Sequence, residues 1–298
     1  MNFQQRVTEN QFTITAEIGP PKGTDTSEML AQASKIKDRV HAMNVTDNQS
    51  SIMRLGSLAA CHLLKEQGID PIYQLTCRDR NRLALQSDLL SANALGIRNV
   101  LALTGDHPQV GDHPQAKPVF DVDSTQLLQI IGRLNEGRDL STQFMNKPLT
   151  EGTALKGKTD LFPGAVVCPE ANPIKPQLLR FSKKVAAGAK FFQTQAIYDF
   201  EKFENFMKYA RDLGAKILAG ILLLRSAGMA RYLNKNVPGI MVPDHLIKEM
   251  ESSAHPLETG IKIAARQISQ VKGICNGVHI MAIGLEDKVS HILGEAGI

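Results

Sequence analysis

Short apolar or β-rich runs recur along the whole chain, and a stretch of helical spacing follows each of them. The runs cover residues 12–18, 42–46, 71–77, 99–103, 164–167, 190–195, 216–223 and 278–282. The spacing predicts helices over about 25–37, 53–66, 80–95, 124–135 and 176–187. Further helical segments start near Asp199, run on to about Lys272 after the seventh strand, and close the chain over about 287–296. Gly68 and Gly96 mark helix ends, where a left-handed residue is favoured. Pro238-Gly239 and Pro243 break the long helical stretch. Repeated β-then-α units imply parallel pairing with right-handed crossovers. Eight such units imply closure into a (β/α)8 TIM barrel, an α/β fold read as a single domain over residues 1–298. An open doubly wound sheet is the runner-up, but no Gly-x-Gly-x-x-Gly follows the first strand.

The periodicity lapses over about 105–123, where Gly-Asp-His-Pro-Gln occurs twice. A loop insertion of that length is expected to be functional or disordered. No apolar run is long enough to span a membrane, and the first residues lack the apolar core of a secretory signal. The expected compartment is therefore the cytoplasm. A net charge of +4 suits an anionic ligand, but the basic residues are dispersed and the chain has no Trp, so a nucleic-acid channel is not expected. Cys61, Cys77, Cys168 and Cys275 lie far apart and form no Cys-x-x-Cys pair, which argues against a zinc knuckle or a disulfide scaffold.

In a parallel barrel, ligands bind where the C-terminal strand ends converge. The apolar run Val100-Leu101-Ala102-Leu103 stops at Thr104-Gly105-Asp106, which puts a carboxylate just past an inner strand. Asp106 either faces a ligand there or only caps a turn. Glu17 lies inside a β-rich run, just before Gly19-Pro20-Pro21. Desolvation at such a place disfavours a charged carboxylate and suits a general acid; an outward-facing structural ion pair is the bland alternative. Gln74 and Gln195 are uncharged amides on inner strands, able to donate and accept along the edge of a heteroaromatic ring. Each could equally be an internally satisfied amide. Arg180, Lys183 and Lys184 follow the fifth strand, with Asn172 near the start of that helix, a surface that could hold phosphate or simply be solvated. The rim lacks a Ser-His or Cys-His pair, so acyl transfer is not favoured. His107, His113, Asp106 and Asp112 share the inserted loop, where solvated turn residues are a better reading than metal ligands, so no metal site is expected.

Taken in order at these strand ends, several short motifs resemble the methylenetetrahydrofolate reductase family. They are Ala16-Glu17-Ile18-Gly19-Pro20-Pro21, Val45-Thr46-Asp47-Asn48, Gln74-Leu75-Thr76-Cys77-Arg78-Asp79-Arg80-Asn81, Leu101-Ala102-Leu103-Thr104-Gly105-Asp106, and Ala187-Gly188-Ala189 followed by Phe192-Gln193-Thr194-Gln195. The resemblance implies a flavin-dependent barrel, with FAD or FMN, that reduces 5,10-methylenetetrahydrofolate to 5-methyltetrahydrofolate. It assigns Glu17 as the general acid that helps open the substrate ring to an iminium. It places Asp106 against both pterin and flavin, and Gln195 on the pterin edge. Thr46, Asp47, Gln74, Thr104, Gly105, Asn172 and Lys184 fall at its flavin-binding positions.

Some positions depart from the better-known members. Gln74 and Asn172 stand where histidines are common, and Ser226-Ala227 stands where Asn-Phe would supply a stacking ring. Ala282-Ile283-Gly284-Leu285 replaces a pattern ending in Asn-Arg. These departures resemble the branch of anaerobes and acetogens. There the electron donor is NAD(P)H or a partner redox subunit, a zinc-containing accessory subunit can be present, and an oligomer is expected. The competing readings are a folate-binding methyltransferase-type barrel and a non-catalytic scaffold subunit of a redox complex.

Overall fold

The computed structural model describes residues 1–237 and 239–298, so the break expected at Pro238 falls outside the described residues. Eight parallel strands close into a barrel. In chain order they are β1 (Thr13–Ile18), β2 (Ala42–Val45), β3 (Pro71–Thr76), β4 (Asn99–Leu103), β7 (Phe162–Val167), β8 (Phe191–Ala196), β9 (Ile217–Leu222) and β10 (Gly277–Met281). Their circular order is β1-β10-β9-β8-β7-β4-β3-β2, so every barrel strand pairs with its sequence neighbours and the last closes on the first. The remaining two strands described, β5 (Gln143–Phe144) and β6 (Lys147–Pro148), form a small antiparallel hairpin between β4 and β7.

Helices α2 (Ser27–Ile36), α3 (Ser57–Glu66), α4 (Arg82–Ala94), α5 (Ser124–Asn135), α6 (Lys175–Ala186) and α7 (Phe200–Asp212) cover the outside in turn. After β9 the chain makes α8 (Ala227–Asn236), α9 (Asp244–Glu251) and α10 (Pro256–Val271), and α11 (Val289–Glu295) ends it. Their apolar faces pack on the outward residues of the strands: Met29, Ala33 and Ile36 of α2 and Leu127, Ile130, Ile131 and Leu134 of α5 belong to one continuous core cluster with Val45, Ala102 and Ala165. Asp123 begins α5 with a capping box, its carboxylate accepting from the Thr125 and Gln126 amides. No helix among the described residues is long and apolar enough to cross a membrane.

Two boundaries differ from the sequence reading. The helix expected from Met53 starts at Ser57, because residues 48–53 are held in an irregular turn with left-handed Asn48, Ser50 and Ser51. A short helix precedes the first strand, α1 (Phe3–Thr8), whose Phe3 ring inserts into the N-terminal end of the barrel. Phe3 packs edge-on against Phe191 at 5.0 Å and Phe162 at 6.2 Å, and its amide donates to Asp70 Oδ2 at 2.9 Å. That plug closes one end and leaves the C-terminal strand ends as the open mouth.

Candidate active site

At that mouth lies a cavity of about 380 Å³, within the range of small-molecule sites. Glu17, Asp47, Gln74, Thr104, Gly105, Asp106, Lys184 and Gln195 all line it. Residues spread from position 17 to 195 are thus brought together by strand closure. Leu101, Leu103, Val166 and Met281 supply its apolar surface, and no Phe, Tyr or Trp is among its lining residues.

Glu17 projects from the end of β1 and is only 9% exposed. Its Oε1 accepts from Gln49 Nε2 at 2.9 Å, and its Oε2 lies 3.9 Å from His279 Nε2. Opposite, Asp106 is exposed into the mouth just beyond β4. Gly105, which sets Asp106, has φ +91, and a Cβ there would lie 3.1 Å from both Arg78 Cβ and Thr76 Cβ. Only glycine takes that turn without strain.

Gln195 reaches the cavity through an irregularity in β8. The register against β9 slips between Gln193 and Ala196, and the Thr194 hydroxyl takes over a ladder position by accepting from Gly220 N at 2.8 Å. A bulge re-aims a side chain, and Gln195 is the one exposed residue of an otherwise buried strand.

Asp47 borders the cavity but its oxygens are already engaged. Oδ2 accepts from Thr76 N (2.9 Å), Thr76 Oγ1 (2.8 Å) and the Arg80 guanidinium (2.7 Å), so it ties β2 to β3. Thr46, next to it, is buried with its Oγ1 lacking a partner. Lys184 donates from α6 to Val166 O at 2.8 Å. Burial pushes its amine down to about 8, and the nearby Arg180 charge adds to this. Asn172 does not reach the cavity; it lines a separate hollow between the start of α6 and α7, with Leu178, Phe206 and Tyr209.

Sequence reasoning missed Gln49, Gln193 and His279, all of which line the cavity, as does Arg78. His279 carried a usable signal: it alternates with Gly277 and Met281 in a strand and so faces the same side as they do. The inserted loop folds back as a cover on one side. Ser51 Oγ donates to the carbonyls of Asp106 (3.0 Å) and His107 (3.2 Å), and Arg78 donates to Ser51 Oγ at 3.1 Å. Asp112 accepts from Met53 N at 3.0 Å and pairs with Lys22 and His113. Among the described residues no group of three or more His, Cys, Asp or Glu is placed to hold a metal ion.

A plug at one end, a polar cavity at the other and a half-sheltered carboxylate inside it define a (β/α)8 barrel with its ligand site at the C-terminal rim. The family model described as methylenetetrahydrofolate reductase matches residues 2–297, and the chain belongs to that family. It is 23% identical over 261 residues to a probable methylenetetrahydrofolate reductase (NADPH) of Caenorhabditis elegans, covering 84% of this chain and 36% of that protein. It is 25% identical over 303 residues to methylenetetrahydrofolate reductase 2 of Schizosaccharomyces pombe, covering 95% of this chain and 45% of the relative. A 5,10-methylenetetrahydrofolate reductase of Salmonella typhimurium is 25% identical over 259 residues, with 84% and 77% covered. The chain therefore spans less than half the length of the first two relatives and most of the length of the third.

Proposed function

We propose that this cavity reduces 5,10-methylenetetrahydrofolate to 5-methyltetrahydrofolate with the help of a bound flavin. The observation that carries the proposal is the placement of Glu17 and Asp106 on one cavity, with Gln195 aimed into it and Gln74 beside it. A planar heteroaromatic with polar edges fits that surface: Leu101, Leu103 and Val166 offer flat apolar contact, while the amides and Thr104 offer donors and acceptors. Thr46 does not itself line the cavity; its hydroxyl is buried without a partner next to Asp47, which does. Gln74, Thr104, Gly105, Lys184 and Thr46 are the residues assigned to hold the flavin, with Asp47 bracing them. The flavin, when bound, supplies the hydride.

Glu17 gives a proton to a ring nitrogen of the substrate, which opens the five-membered ring to an iminium; hydride at the methylene carbon then yields the methyl group. Gln49, donating to Oε1, holds the carboxyl so that the proton sits on Oε2. Gln195 and Asp106 orient the pterin through its amide and amine edges.

Glu17→Gln tests this reading. The variant should keep its flavin and its yellow colour, yet lose at least ~10²-fold in the rate at which methylenetetrahydrofolate reoxidises the reduced flavin. A variant as fast as the parent, or a parent that stays colourless when offered FAD and FMN, would overturn it. A scaffold subunit would lose nothing on the same substitution. A folate-binding methyltransferase-type barrel would show no flavin reoxidation at all.

A further inference from the structure

The interior of the barrel beneath Glu17 holds a continuous polar chain. His279, on β10, sits directly across from Thr15 of β1 in the sheet register, and its Nδ1 is 3.0 Å from Thr15 Oγ1. Thr15 Oγ1 also lies 3.4 Å from Val278 O and 3.4 Å from Gln193 Nε2. Gln193 is itself fixed by a reciprocal pair with Asn44, at 2.7 and 2.9 Å. Thr15, Asn44 and Gln193 are at most 2% exposed, and His279 is 4% exposed. A polar network this deep is costly unless each member is satisfied.

Its hydrogen bonds have a specific consequence. The Gln193 amide fills one lone pair of Thr15 Oγ1, and the hydroxyl proton goes to Val278 O. In that arrangement the remaining lone pair faces His279 Nδ1, 3.0 Å away, and the ring carries its hydrogen there. With Nδ1 protonated, Nε2 faces Glu17 Oε2 in one of two ways. A neutral imidazole accepts from the carboxylic acid, or an imidazolium donates to the carboxylate. Both forms use the same arrangement of Thr15, Gln193 and Asn44. The scaffold is thus indifferent to which partner holds the proton, and moving it requires only that the pair close to hydrogen-bond distance. At 3.9 Å the pair is wider than a hydrogen bond, a separation that catalytic contacts often show before substrate tightens them.

We propose that His279 is the positioning residue for Glu17, holding one proton jointly with it so that the acid is loaded at the start of each turnover. This rests on the reductase reading above. The proton that leaves Glu17 for the substrate nitrogen leaves a carboxylate and a neutral imidazole. One proton from water restores the pair, and the imidazole gives that proton a second place to reside beside the carboxyl. The neighbouring strands put no other titratable group beside the pair: β2 places Asn44 opposite Glu17, and β9 places Gly220 opposite His279. The other charges at the cavity are Asp47, held by Arg80; Arg78, held by Asp79; and Asp106 and Lys184.

The test uses enzyme whose flavin has been reduced with dithionite, mixed with methylenetetrahydrofolate between pH 6 and 9. In His279→Gln the loss relative to the parent should deepen several-fold between pH 6 and pH 8. Thr15→Val removes the Nδ1 partner without touching either titrating group, and should tilt the profile the same way by a smaller factor. A loss equal at every pH in both variants, or profiles that superimpose on the parent's, overturns the proposal. If His279→Gln does not fold, Thr15→Val decides alone. Glu17→Gln, run alongside, separates the two levels: full activity there defeats the reductase reading, whereas its inactivity with unchanged histidine profiles defeats only this inference.

Discussion

Lys184 is a half-buried charge on the wall of the cavity. Its amine has a single carbonyl partner, Val166 O, and burial lowers its proton affinity to about 8. Below pH 8 the folded chain carries a desolvated cation, which costs stability. Between about 8 and the ordinary lysine value near 10.4, the folded state gives up its proton before the unfolded chain does, so stability rises with pH. Above that range the penalty is gone. Lys184→Met in flavin-free protein should therefore raise the melting temperature at pH 7 more than at pH 10.5. The same variant should hold flavin about tenfold more weakly, since a charge-assisted contact is lost; the ratio of flavin to protein absorbance measures it. Equal thermal shifts at both pH values would contradict the burial argument. At this scale the sequence was most readable where a charged residue broke an apolar run beside a turn. Glu17 and Asp106 stood out for that reason. Asp47 lies in a similar place, but its commitment to Thr76 and Arg80 depends on β2 meeting β3, which no local pattern records. Asn172 was drawn to the site by its place near a helix start and by the resemblance, and the turn into α6 carries it to another hollow.

Among the elements, the strands and their order were legible because a period of two and a period of about four differ sharply, and glycine marks the ends. What escaped was held by contacts distant in sequence. Nothing local announces that residues 3–8 should be a helix; Phe3 is fixed by rings from β7 and β8 and by Asp70. The inserted loop was expected to be functional or disordered, and it is tied to the 48–53 turn by bonds from Ser51, Arg78 and Met53. Gly111 is the closest approach in that junction: a Cβ there would come within 1.9 Å of the Ser51 carbonyl oxygen. Gly111→Ala must therefore push the two segments apart. Because Ser51 also holds the Asp106 carbonyl, the displacement reaches the cavity. Limited proteolysis should cut the variant faster within 105–123, and its apparent substrate affinity should fall several-fold with little change in melting temperature, since the core is untouched. Unchanged cleavage would mean that the loop is anchored elsewhere. The Asp112 carboxyl is held well below the usual range by hydrogen bonds from Lys22 and then His113, so its share of this anchoring persists in mild acid and is lost only as pH falls through that lowered value.

For the molecule as a whole, the open question is how electrons enter. A nicotinamide ring gains from a flat partner to stack on, and the cavity has no Phe, Tyr or Trp among its lining residues. The strand ends that could have supplied one bear small or aliphatic groups. Ser226 spends its hydroxyl capping α8, accepting from Met229 N at 3.1 Å, with Ala227 beside it. Past β10, Ile283 sits in a left-handed conformation at φ +46, which β-branched residues rarely adopt, and Gly284 follows. Of the three relatives named above, only the Caenorhabditis elegans protein carries a nucleotide in its name, NADPH, and 23% identity does not carry that preference over to this chain. On the function proposed above, another route is a partner redox protein that delivers electrons to the flavin. Rapid mixing of the purified, flavin-loaded chain with NADH or NADPH should then leave the flavin absorbance unbleached on the timescale of turnover, while dithionite bleaches it at once. Methylenetetrahydrofolate should reoxidise the dithionite-reduced form without any partner present, because the residues proposed above as acid, pterin contacts and flavin contacts all belong to this one barrel. Prompt bleaching by either nucleotide would show that nicotinamide binds here without an aromatic platform, and the partner would be unnecessary.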